Sequence, residues 1–159
     1  MQIPAKAEYA LRALLELSVL DEPATADSLA HAQELPTKFL SSILNDLRRA
    51  GYVTSRRGQG GYLLIRPAGD ITVAEVMRTI EGSLVEVHGR PPEKTTYGGA
   101  AVHLQEVWLA ARASLTSVLE SVTLEDIARG RLPLPVTRLA GVADQPAVTP
   151  AVGAALSPT

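Results

Sequence analysis

Gly51-Tyr52-Val53-Thr54-Ser55-Arg56-Arg57-Gly58-Gln59-Gly60-Gly61-Tyr62-Leu63-Leu64-Ile65 is the stretch on which the fold turns. Its two ends, Tyr52 to Thr54 and Tyr62 to Ile65, are β-prone, and the glycines between them supply the positive φ angles that a reversal of direction needs. The pattern predicts a β-hairpin that carries Arg56 and Arg57 at its tip.

Helical periods surround this hairpin. Upstream, Ala7, Ala10, Leu11, Leu14, Leu15 and Leu17 recur at spacings of three and four through residues 5 to 20, and Asp21, Glu22 and Pro23 end the run. A short second helix is expected behind Thr25 as its N-cap, with Asp27 in the first turn, to about Gln33. Pro36 sits in the first turn of a third, whose apolar set is Leu35, Phe39, Leu40, Ile43, Leu44, Leu47 and Ala50 and which Gly51 stops. Downstream, Arg66 to Asp70 reads as a turn, and Thr72 to Glu81 as a fourth helix ended by Gly82. Three helices, a hairpin and a helix are the order of a winged helix-turn-helix. The fold class expected is therefore mainly α with a small β-hairpin wing.

Residues 1–82 make up that domain, and 83–99, rich in Gly, Pro and polar residues, read as a loop. Residues 100–132 hold the strongest period of the chain: Leu104, Trp108, Ala111, Leu115, Val118 and Val122 step by four and three, followed by a short C-terminal helix. Such a stripe can pack on the chain's own core or on a partner helix. Because residues 1–82 are expected to close their own core, the stripe is expected to join two copies as a homodimer. Residues 133–159, with five prolines and only Arg138 and Asp144 charged, read as a disordered tail.

The chain of 159 residues carries 15 Lys and Arg against 17 Asp and Glu, so its overall charge announces no polyanionic partner. The local charge does. Between Lys38 and Arg66 six cations, Lys38, Arg48, Arg49, Arg56, Arg57 and Arg66, face one acid, Asp46, whereas from Pro67 onward seven cations face ten acids. On the third helix, Thr37, Ser41, Asn45 and Arg48 stack along one side beside Lys38, Ser42 and Arg49. Hydroxyls, an amide and guanidinium groups on a helix suit base edges in a major groove, and the cations among them suit phosphates. Arginines on a glycine-rich wing can enter a minor groove. Helix and wing together predict a double-stranded DNA operator as partner, read at Thr37, Lys38, Ser41, Ser42, Asn45, Arg48, Arg49, Arg56 and Arg57.

Over residues 1 to 130 the sequence resembles the Rrf-two family of winged-helix transcriptional regulators of the IscR, NsrR and CymR type. The resemblance is carried by Lys6-Ala7-Glu8-Tyr9-Ala10-Leu11, by Leu35 through Leu47, and above all by Gly51-Tyr52-Val53 with Ser55-Arg56-Arg57-Gly58-Gln59-Gly60-Gly61-Tyr62. Ile71 to Val76, Glu81-Gly82, Trp108, Leu115-Thr116 and Val122-Thr123-Leu124 add to it. It implies a homodimer joined by the long helix, with two recognition helices in successive major grooves of a pseudo-palindromic operator, and repression as the expected outcome. Lys38 and Ser41 on the recognition helix and Arg57 on the wing are the positions that match the family's DNA contacts.

One departure stands out. The resemblance implies three cysteines before the long helix, near Glu86 to Val102, and this chain has none, so an iron–sulfur cofactor is not expected. Glu8 matches an acidic ligand of some members, and Gln105 stands where another has a histidine. His31, His88 and His103 have no ligand-like spacing, so no metal site is expected either. Tyr9, Trp108 and the loop around Tyr97 are the candidates to line a small-ligand pocket. Effector-free action, a small-molecule effector and a protein effector all remain open, as does a winged-helix module that binds protein instead of DNA.

Enzymatic chemistry finds no support. Gly58-Gln59-Gly60-Gly61 lies between strands and lacks the following Gly-Lys-Ser or Gly-Lys-Thr of a phosphate-binding loop, and neither Gly-x-Ser-x-Gly nor His-Glu-x-x-His occurs. Lys6, Glu8, Arg12 and Glu16 interrupt the first apolar segment, and Pro146, Pro150 and Pro158 interrupt the longest uncharged one. A cytoplasmic protein without membrane contact is the expectation.

Overall fold

The computed structural model describes residues 3–56 and 60–141. Its elements are α1 (Ala5–Ser18), α2 (Ala26–Gln33), α3 (Thr37–Arg49), β1 (Val53–Ser55), β2 (Tyr62–Leu64), α4 (Val73–Glu81), α5 (Leu104–Glu120), α6 (Leu124–Ala128) and α7 (Leu134–Leu139), with single 3-10 turns at Ala68–Asp70, Pro92–Lys94 and Gly99–Ala101. The helical content and the antiparallel hairpin, the only one among the described residues, paired Val53 to Leu64, Thr54 to Leu63 and Ser55 to Tyr62, are those of a winged helix-turn-helix.

Local chemistry sets most of the helix ends. The Thr25 hydroxyl accepts from the Ser28 N–H to start α2, and the Thr72 hydroxyl accepts from the Glu75 N–H to start α4. Glu34 closes α2 in the left-handed conformation at φ 53°, and only Leu35 and Pro36 then separate it from α3. This tight connection sets the angle between the two helices of the helix-turn-helix.

Ala10, Leu14 and Leu17 of α1, Leu29 of α2 and Leu40, Ile43, Leu44 and Leu47 of α3 form the main core with Val53, Ile71 and Val76. The core is not closed within residues 1–82: Leu124 of α6 lies in it, fully buried. Backbone bonds from Leu124 N–H to the Ile71 carbonyl (3.0 Å) and from Val73 N–H to the Val122 carbonyl (2.9 Å) stitch the return of the chain to the start of α4. A capping box at Thr123 and Asp126 turns the chain from α5 into α6, and its bonds to Thr123 hold the Asp126 carboxyl below its usual range.

The segment read as a tail is helical in part. Within residues 133–159, α7 spans Leu134–Leu139, and residues 142–159 lie outside the described residues. Pro133 as N-cap and Pro135 in the first turn preset the φ angle of a helix start, and Val136 packs on a second cluster of Ala7, Val73, Met77 and Val122. Residues 83–99 carry a Val87–Arg90 bridge and the Pro92–Lys94 turn.

Candidate nucleic-acid interface

The third helix divides cleanly. Leu40, Ile43, Leu44 and Leu47 are wholly buried, while Lys38, Ser42, Asn45, Arg48 and Arg49 are exposed and Thr37 and Ser41 half-buried on the opposite side. Seven of the predicted contact residues are thus brought onto one helix surface. The Ser41 hydroxyl donates to the Thr37 carbonyl (3.0 Å), so in this rotamer its lone pairs are left to accept from a base amino group. Lys38 and Arg48 take part in no ion pair among the described residues, which leaves both cations available to phosphates.

Asp46, the only acid within the basic stretch, is held away from this task. Lys6 of α1 meets its carboxylate at 2.8 Å and Arg49 lies at 3.9 Å, and the Lys6 hydrogen bond leads the causes that keep the Asp46 carboxyl below its usual range. The repulsion that a free carboxylate would exert on a phosphate backbone is largely offset.

The wing is anchored at its base. Tyr62 and Ala24 exchange backbone bonds of 2.8 and 3.0 Å, so the chain entering α2 lies against β2 like a minimal third strand. Gly61 permits that approach: at φ 135° a Cβ there would stand 3.0 Å from the Pro23 Cβ and 3.2 Å from the Ala24 backbone. Arg56 N–H donates to the Gly61 carbonyl (3.3 Å), and the Arg56 side chain is exposed. Arg57, the wing residue that matches the family's contact, lies outside the described residues with Gly58 and Gln59.

Two sequence expectations need correction. Arg66 is committed to structure: it pairs with Glu75, donates to the Asp70 carbonyl (2.8 Å) and stacks 5.6 Å over the Tyr52 ring. Thr79 donates to the Glu75 carbonyl, so the Tyr52 hydroxyl donates to Thr79 (3.0 Å), and burial pushes the Tyr52 phenol up. The basic surface is smaller by that one charge. Phe39, read as core, is 42% exposed and meets Tyr9 edge-on at 5.7 Å between ring centroids. It stands beside Lys38 on the rim of the candidate surface, a placement that the apolar period could not distinguish from burial.

The predicted dimer stripe fares unevenly. In α5 no residue is buried; Leu104, Trp108, Leu115 and Val118 are half-buried and Ala111 is exposed. Val122 is not on the helix: α5 ends at Glu120, and Val122 turns into the chain's own second cluster at 6% exposure. Val107, absent from the predicted stripe, is 55% exposed and marks the side that the chain leaves bare.

The three aromatic candidates for a ligand pocket do not line one cavity together. Trp108 lines a cavity of about 690 Å³ with Leu84, Val85, Glu86, Val87 and His88. Tyr97 instead accepts the Trp108 indole N–H (3.1 Å), and Tyr9 lies against Phe39. Glu8 pairs with Arg12 at 3.4 Å, and Gln105 donates to loop carbonyls. No helix among the described residues is long and apolar enough to cross a membrane.

The sequence model of one family, Rrf2, described as an iron-dependent transcriptional regulator, matches residues 3–130. The chain is 44% identical over 143 residues to an HTH-type transcriptional regulator of Mycobacterium tuberculosis, covering 88% of this chain and 89% of that one. Among solved structures it is similar to CymR, the global cysteine regulator of Bacillus subtilis, with a TM-score of 0.65 and 34% identity over 81% of this chain and 97% of that one. It is also similar to an IscR of T. potens, with a TM-score of 0.67 and 29% identity over 82% and 88% of the two chains.

Iron is where the chain and the family's description part. There is no cysteine to ligate a cluster, and among the described residues no group of three or more His, Asp or Glu side chains is placed to share an ion. The residues present do not fit an iron–sulfur group. With its fold, its basic helix and its relatives in agreement, the chain belongs to the Rrf2 family of winged helix-turn-helix, DNA-binding transcription regulators.

Proposed function

We propose that this protein is a homodimeric repressor that reads a pseudo-palindromic operator without a cysteine-ligated cluster. The observation that carries the reading is the outward side of α3, where Lys38, Ser42, Asn45 and Arg48 stand free on a helix whose other side is locked into the core. A helix fixed in this way can enter a major groove without reorganising, and Ser41 and Asn45 are the side chains short enough to read base edges there. Lys38, Arg48, Arg56 and Arg57 supply affinity through phosphates and the minor groove, Thr37 and Ser42 support the register, and Arg49 divides its charge between Asp46 and the backbone.

Dimerisation follows from α5. A 17-residue helix with no buried residue leaves an apolar side wet, and a second copy covers it in a two-fold arrangement at Leu104, Val107, Trp108, Ala111, Leu115 and Val118. A compact dimer over an operator blocks polymerase without further surfaces, which favours repression over activation. The cavity beside Trp108 favours one second reading, that a small effector adjusts the dimer.

Titration of the DNA upstream of its own gene at several salt concentrations tests the reading. The wild type is expected to lose affinity steeply with salt, and Arg57→Ala to weaken binding about tenfold with a salt slope lower by about one, as loss of one phosphate-type contact requires. Binding that ignores salt, or an Arg57→Ala protein that binds as the wild type does, contradicts it and turns attention to a protein partner.

A further inference from the structure

Residues 91–97, Pro91-Pro92-Glu93-Lys94-Thr95-Thr96-Tyr97, have little means of holding themselves in place. Their own backbone supplies one 3-10 turn, with Lys94 N–H to the Pro91 carbonyl (2.9 Å) and Thr95 N–H to the Pro92 carbonyl (3.1 Å). Yet Pro92 is fully buried, and the segment lies along α5. Beyond that turn and the bond from the Thr95 hydroxyl to the Pro92 carbonyl (2.7 Å), what holds it comes from α5 at positions 105, 108 and 112, spacings of three and four that put the three side chains on one side of the helix.

Each of the three makes a different kind of bond. The Gln105 amide nitrogen donates to the Thr95 carbonyl (2.7 Å) with one hydrogen and shares the other between the carbonyls of Pro92 and Glu93 (both 3.2 Å), gathering three acceptors of one turn onto a single group. The Trp108 indole N–H donates to the Tyr97 hydroxyl (3.1 Å). The Arg112 guanidinium grips the Glu93 carboxylate with its two terminal nitrogens, one of them at 2.8 Å. That pairing holds the Glu93 carboxyl below its usual range, with the Arg112 hydrogen bond the largest cause. The far end of α5 is tied in turn to α4 by the Arg78–Glu120 pair.

We infer that Gln105, Trp108 and Arg112 form a side-chain clasp that fixes residues 92–97 on α5 without a metal, so that DNA binding by this chain does not depend on iron. The first half stands on these contacts alone; the second rests on the proposed function. Gln105 is the sharpest element, because an amide can donate to carbonyls where a carboxylate of the same size can only repel them. These are positioning residues, remote from the surface that meets DNA.

Hydrogen exchange of the full chain, read on peptides covering 91–98, tests the clasp. With excess EDTA or with added ferrous iron under anaerobic conditions, exchange in the wild type is expected to agree within about twofold. Gln105→Glu combined with Arg112→Ala is expected to speed it at least tenfold, while peptides from α1 and α3 stay as in the wild type. Reversal of the ion pair, Glu93→Arg with Arg112→Glu, restores most of the protection, which a merely structural loss would not do. Should the double variant unfold, Gln105→Met carries the same expectation. Wild-type exchange that EDTA speeds tenfold, or Gln105 variants that exchange as the wild type does, overturns the clasp. Titration of the upstream DNA under the same two conditions tests the second half: equal affinity is expected, and binding that appears only with iron overturns it. Absence of DNA binding under both conditions also overturns that half, through failure of the proposed function, and leaves the exchange result on the clasp standing.

Discussion

Helices α3 and α5 have the same kind of sequence, an apolar stripe at three- and four-residue steps, and opposite fates. On α3 the stripe at Leu40, Ile43, Leu44 and Leu47 is completely buried within the chain; on α5 no residue is buried. The difference teaches that periodicity reveals a helix with a face to cover but not what covers it. On α3 the chain covers the stripe, and the polar side left outside is the one proposed to meet DNA. On α5 the apolar side is itself the surface proposed to meet a second copy, and the polar positions Gln105 and Arg112 serve the chain's own loop.

The largest effect expected from this contrast is on stability. Leu44→Ala should cost about 2–5 kcal/mol in a denaturant titration, independent of protein concentration. Leu115→Ala should cost less, and its effect should grow as the protein is diluted, because in the proposed dimer part of its burial comes from the second copy. Equal, concentration-independent losses at both sites would break the comparison.

Val107→Arg sharpens it next. A guanidinium in the middle of the bare side should shift the protein from dimer to monomer in sedimentation velocity and weaken operator binding about tenfold or more, while the circular dichroism of the fold is kept. A dimer that survives this change would place the interface elsewhere.

Smaller effects concern the frame that aims α3. Glu34 holds the left-handed position of the helix-turn-helix at φ 53°, and Glu34→Gly should raise stability by up to about 1 kcal/mol, measured by thermal unfolding. The Arg66–Glu75 pair behind the hairpin gives the smallest and most condition-dependent effect. The Arg66 hydrogen bond holds the Glu75 carboxyl below its ordinary value of 4.5, so the pair's contribution is fully present above that pH and is lost as the pH falls through the lowered value. Stability of the wild type should therefore fall below about pH 4.5, and less steeply in Glu75→Gln; an unchanged acid limb in that variant would contradict the role given to the pair.

Much of this was legible in the sequence because it is local. Thr25, Thr72 and Gly82 mark helix ends by chemistry that needs no tertiary partner, and the glycines of the wing sit where the chain must reverse. What stayed hidden depends on contacts between distant residues. Nothing local to Val122 shows that it ends up against Ala7, Val73 and Met77, or that Leu124 completes a core begun in α1. Phe39 follows the core period yet is 42% exposed, in T-shaped contact with Tyr9. Arg66 counts as one more cation until Glu75 is seen to take it. In residues 133–141 the prolines that suggested disorder are the ones that start a helix. The polar side of α3, Phe39 apart, was readable because it lies on one helix; the clasp was not, since its loop and helix lie ten or more residues apart.

Hydroxyl-radical footprinting of the DNA upstream of the protein's own gene tests the central claim, that α3 meets DNA while α5 meets a second copy. The account predicts two protected stretches related by a two-fold axis, with centres about one helical turn (roughly 10 bp) or a whole multiple of it apart, one for each recognition helix. A single protected stretch, or two without that symmetry, would contradict it.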